Sequence, residues 1–195
     1  MDRTALHEAG HAWMALRCGW SARAASVKGG TASAGCTLYR RHGKVNPAGV
    51  NLRMPFALWP AGVRDELTHR AMITMAGDVA EQLIYVAEDE PLAVRAADQI
   101  ADLPDELPGP DPRDLLTLAV AMDDPDGPDD ARLLAEFAHA AHGSDHMSAS
   151  SWLAHIADQC IHLVATDEAK IERLAAGLAR DGELGAEAIR AILAA

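Results

Sequence analysis

Apolar positions recur at helical spacing over most of the chain, and the polar breaks between them mark where each helix stops. The first periodic run follows Asp2, whose carboxylate can cap free helical amides, and extends to about Cys18 with Gly19 as the stop. Ala5, Ala9, Ala12 and Leu16 share one face while Leu6, Trp13 and Arg17 share another, so more than one side of this helix is expected to be covered. Gly10 sits inside it at a cost of about 1 kcal/mol against alanine, which makes sense where another backbone or a metal ligand must approach closely. From Ala24 to Tyr39 the residues turn small and β-branched, with Gly29, Gly30 and Gly35. Residues 25–28 and 36–39 are expected to be two short strands joined by a glycine-rich turn. Residues 40–60 carry Pro47, Pro55 and Pro60 and no sustained period, so they are expected to be loop with one further strand around 50–54.

Helical periodicity returns over 64–86, where Leu67, Ala71, Ile73, Ala76, Ala80, Leu83 and Ile84 lie mostly on one broad face. Residues 88–113 are acidic and rich in proline, predicting a short helix over 92–100 and then an irregular loop. Asp114 begins or caps a helix over 115–122, a proline, glycine and aspartate break covers 123–130, and 131–141 is helical again. Residues 148–165 and 167–178 form an amphipathic helix pair, and 183–193 a short final helix. The expected fold is mainly α with a small N-terminal antiparallel sheet or hairpin. One domain is expected over 1–195, with the catalytic helices and sheet in 1–122 and a C-terminal helical part in 131–195.

Composition narrows this picture. Aromatic residues make up only 4% of the 195 residues, so the core must come from closely approaching helices rich in alanine and leucine. A net charge of -12 disfavours nucleic-acid backbones and anionic membrane surfaces as partners. Cys18, Cys36 and Cys160 form no CxxC pair and no disulfide framework, which fits a reducing interior. No apolar run approaches the roughly 20 residues that span a bilayer. A soluble, cytoplasmic chain without a membrane segment is expected.

The chemistry concentrates in His7-Glu8-Ala9-Gly10-His11. Histidines four apart on a helix project from one face, so both can grip a zinc ion, with Glu8 beside it as general base for water. A catalytic zinc takes three protein ligands, so a third must come from another helix. HExxH alone recurs in many unrelated proteins; its place on a capped helix adds weight. Elsewhere His139, His142 and His146 straddle Gly143 without a matching carboxylate or cysteine, and are expected to be a solvated helix end. His155 and His162, seven apart, pack or hydrogen-bond rather than ligate.

The stretch from Thr4 through His7-Glu8-Ala9-Gly10-His11 to Ala12 closely resembles the motif helix of the FtsH-type zinc metallopeptidase domain. Met75-Ala76-Gly77-Asp78-Val79-Ala80-Glu81 is similar to that family's Gly-Gly-Arg-x-Ala-Glu-Glu segment. Ile171-Glu172-Arg173-Leu174 through Gly185-Ala186-Glu187-Ala188-Ile189-Arg190 is similar to its closing helix pair. The matches keep family order and span nearly the whole chain. The resemblance implies a helical zinc endopeptidase whose third ligand is an aspartate that starts a helix rich in alanine and leucine. Asp114, followed by Leu115-Leu116-Thr117-Leu118-Ala119, fits that description; Asp98 is the runner-up on spacing and Asp111 a third choice. Cys36, Thr37 and Leu38 resemble the family's edge strand, which would bind an extended peptide through backbone hydrogen bonds; the alternative is an internal hairpin strand. Glu81 is a candidate acceptor for a ligating imidazole, or else a salt-bridged helix residue.

Two departures from the family stand out. Asp78 replaces its arginine and Ala76 its first glycine, and no GxxxxGK[ST] motif or ATPase module occurs. The expected activity is therefore ATP-independent hydrolysis of peptides or unfolded proteins, alone, as a homo-oligomer, or beside a separate unfoldase. The alternative is a catalytically silent, peptidase-like zinc-binding interaction module.

Overall fold

The structure is a computed structural model that describes residues 2–28, 35–40, 54–85, 90–101, 129–143 and 145–195. Six α-helices lie among them: α1 (Arg3–Arg17), α2 (Ala61–Ala80), α3 (Leu92–Ala101), α4 (Asp130–His142), α5 (His146–Asp181) and α6 (Ala186–Ala194). Three short strands, β1 (Ser21–Ser26), β2 (Cys36–Arg40) and β3 (Glu183–Gly185), make an antiparallel sheet in the order β2-β1-β3. The mainly helical class with a small sheet matches the sequence expectation. None of the described helices is long and apolar enough to cross a membrane.

The local signals for α1 hold at both ends. Asp2 accepts a hydrogen bond from the Ala5 amide at 3.1 Å, and Gly19 takes a φ of 76° just past the helix. Residues 8–15 of α1 are all buried, as are residues 70–80 of α2, so these stretches run through the core with no solvent stripe, while the start of α2 exposes Ala61, Gly62 and Asp65. The one-faced pattern expected for α2 is thus too narrow. The two pack antiparallel, because His11 meets Ile73 while His7 meets Glu81. They come close where Gly10 faces α2: a Cβ there would lie 2.4 Å from the Ala76 carbonyl oxygen. That atom is backbone and cannot rotate away. Gly10→Ala should therefore force the helices apart and cost about 1–3 kcal/mol, read as a melting temperature lowered by several degrees.

Several boundaries differ from expectation. The first strand lies at Ser21–Ser26 rather than 25–28, and a register shift between Ala22 and Ala24 puts Ala22 and Ala25 on the same buried side. That bulge hides the alternation that would have marked the strand. The two helices expected over 148–165 and 167–178 meet within α5 at a kink where expected, since Asp167 leaves helical geometry (φ -114°, ψ 20°). His139, expected at a solvated helix end, is instead buried, a correction to that expectation. Gly182, with φ 77°, ends α5 and lets Glu183–Gly185 turn back to pair with β1, so the last helix starts at Ala186 rather than 183. After Ala80 the chain continues as a π-helical turn, Glu81–Tyr85. Asp78 accepts hydrogen bonds from the Leu92 amide at 3.1 Å and the Arg95 guanidinium at 3.0 Å, tying the start of α3 to α2. The expected helix over 115–122 and most of the expected strand over 50–54 lie outside the described residues.

Candidate metal centre

The stripe that α2 and the first residue of the π-helical turn after it present to α1 reads Ile73, Gly77, Glu81, each four residues from the next. Each serves the histidine pair. The Ile73 carbonyl accepts the Nδ1–H of His11 at 2.7 Å, and Glu81 Oε1 accepts the Nδ1–H of His7 at 2.7 Å. Gly77 leaves the space between: a Cβ there would lie 2.6 Å from His11 Nε2 and 2.9 Å from His7 Cε1. Arg3 pairs with the second oxygen of Glu81, fixing that carboxylate from the other side.

Because a carbonyl oxygen only accepts, His11 must carry its proton on Nδ1, and the Glu81 carboxylate imposes the same on His7. A neutral imidazole in that tautomer has a bare lone pair on Nε2. The two Nε2 atoms stand 2.8 Å apart, and Asp130 Oδ2 lies 3.1 Å from His7 Nε2 and 3.4 Å from His11 Nε2. Three electron-donating atoms therefore face one point, and only a positive charge reconciles them. The electrostatics agree. Burial opposes charge on His7, but the Asp130 and Glu81 carboxylates outweigh it and push its pKa up to about 10. Burial opposes charge on His11 as well, and Asp130 again prevails, raising it. Burial would raise Asp130, yet His11 and His7 hold its carboxyl well below the usual carboxylate range. Protons can supply the missing charge, and so can a metal ion that displaces them.

Zinc fits this donor set. Two imidazoles and a carboxylate are a known catalytic ligand combination, and tetrahedral ligands at about 2.0–2.1 Å stand about 3.3 Å apart. The separations here bracket that value. Among the described residues, His7, His11 and Asp130 form the group whose ligand atoms can hold a metal.

Among the described residues, Asp130 stands at the third position. Asp98 is exposed on α3 and takes no part in the group, a correction to its candidacy. Asp114 and Asp111 lie outside the described residues. Asp130 sits at the first position of α4, behind Asp129, whose carboxylate caps the helix by accepting the Arg132 amide at 2.8 Å. That division of labour frees Asp130 to turn inward. The sequence held a signal for it: Ala131-Arg132-Leu133-Leu134-Ala135 gives Asp130 the same aspartate-before-helix pattern that pointed to Asp114.

Glu8 is buried, with 5% of its surface exposed, and close enough for its charge to raise both imidazoles. Thr37 is also buried, and its hydroxyl donates to Glu8 Oε2 at 2.6 Å, so its side chain faces that carboxylate. Leu38 is half-buried on β2, which forms one edge of the sheet among the described residues; the side chain of Cys36 lies outside them. No family model matches this chain, and no curated protein matches it in sequence.

Proposed function

We propose that this protein is a zinc-dependent endopeptidase of the FtsH-type class, acting without ATP on peptides or unfolded proteins. The observation that carries the reading is the convergence of His7 Nε2, His11 Nε2 and Asp130 Oδ2, with Glu8 alongside. His7, His11 and Asp130 would hold the ion, and Glu81 and the Ile73 carbonyl orient the two imidazoles through Nδ1. When bound, zinc supplies Lewis-acid chemistry, acidifying water and polarising a peptide carbonyl. Glu8 accepts the proton that the attacking water loses and passes it to the leaving amine. Its burial keeps bulk water from competing for that proton. The backbone edge of β2, from Cys36 through Leu38, gives an extended peptide a row of hydrogen-bonding groups, so recognition depends little on side chains. A folded substrate offers no such strand, which restricts the enzyme to unfolded chains unless a separate unfoldase feeds it.

The test is cleavage of an unstructured fluorogenic peptide by purified protein of known zinc content. Chelation should abolish cleavage and stoichiometric zinc should restore it. A protein that binds one zinc and leaves the peptide intact would instead be the catalytically silent module.

A further inference from the structure

We infer that Gly35 and Thr37 are positioning residues for Glu8, clamping its carboxylate between them so that β2 and the residue before it fix the place of the base. The inference rests on the peptidase reading and extends it to residues that touch neither metal nor scissile bond. Glu8 Oε2 accepts the Thr37 hydroxyl at 2.6 Å. That hydroxyl has one proton and a second acceptor nearby, the Glu8 carbonyl oxygen at 3.1 Å, and the shorter contact to the charged oxygen takes it. At the other carboxylate oxygen, a Cβ at position 35 would lie 2.6 Å from Glu8 Oε1, and also 2.7 Å from Cγ and 2.9 Å from Cδ. The glutamate thus rests on the bare Cα of Gly35.

A glutamate has three rotatable side-chain bonds, and without these two contacts it would populate other rotamers. A displacement of about 1 Å at a catalytic group can cost about 100-fold in rate. The same segment carries the edge proposed to dock peptide, so one element sets both the substrate line and the base. A purely structural reading is that the hydrogen bond only ties β2 to α1.

Gly35→Ala separates the two readings. The clashing atoms belong to a flexible side chain, so the fold accommodates the methyl group by moving Glu8. The variant should keep wild-type zinc content, melting temperature and KM for an unstructured peptide, while kcat falls about 100-fold. Thr37→Val should lower kcat about tenfold or more with zinc retained, and Thr37→Ser should return it to within about threefold of wild type. Independently of turnover, the melting shifts of Thr37→Val and Glu8→Leu should fall short of additivity in the double variant by about 3 °C or more. Wild-type kcat in both Gly35→Ala and Thr37→Val, rate losses that merely follow lost zinc or lowered melting temperature, or additive melting shifts would each overturn the inference. If zinc-loaded wild type cleaves no peptide while the melting shifts remain coupled, the peptidase reading fails and the base-positioning role falls with it.

Discussion

Glu8→Gln should lower kcat by about 10²- to 10⁴-fold while the protein keeps its zinc and its melting temperature. Glutamine has the same shape, so it still fits against Gly35, and its carbonyl oxygen still accepts the Thr37 hydroxyl. What it loses is the capacity to take a proton. The three donor atoms at the centre come from other residues, so metal affinity should change little. Peptide turnover measured beside zinc content checks this: lost activity with retained metal assigns Glu8 to the chemical step. Equal turnover by wild type and Glu8→Gln would remove Glu8 from the mechanism.

Asp130→Ala should do the reverse and empty the site. It deletes one of the three convergent donors and leaves two lone pairs 2.8 Å apart with no carboxylate oxygen converging on them. Loss of a mere supporting partner of a metal ligand typically costs 10- to 100-fold in affinity, so loss of the ligand itself should cost at least about 100-fold. A competitive zinc titration reads the effect. Asp98→Ala provides the control, since that side chain is exposed on α3 and should leave the titration unchanged. Zinc affinity in Asp130→Ala equal to wild type would exclude Asp130 as a ligand.

The parts of this protein that are legible in its sequence are those set by neighbours along the chain. The spacing of His7 and His11 fixes their shared face, Asp2 caps its own helix, and Gly10 inside a helix announces the close approach that Ala76 makes. The third donor is different. Asp130 lies 123 residues from His7, and no local period connects them. Asp114 and Asp130 both precede a leucine-rich stretch, and what brings Asp130 to the histidines is the packing of its own helix, α4. The small sheet was legible, but the bounds of its first strand and its third strand were not, for a related reason. β1 contains a bulge that breaks its alternation, and β3 is a tripeptide whose pairing with β1 is a long-range event. Thr37 was legible as part of a strand, but not as the hydroxyl that holds Glu8. Its role depends on where β2 lands against α1.

Crystals of the zinc-loaded protein, measured on both sides of the zinc absorption edge, test the central claim most directly. One anomalous peak is predicted, about 2.0–2.2 Å from His7 Nε2, His11 Nε2 and an Asp130 carboxylate oxygen. A peak placed elsewhere, or bonded to the two histidines with its carboxylate from Asp114 or Asp98, would contradict the account.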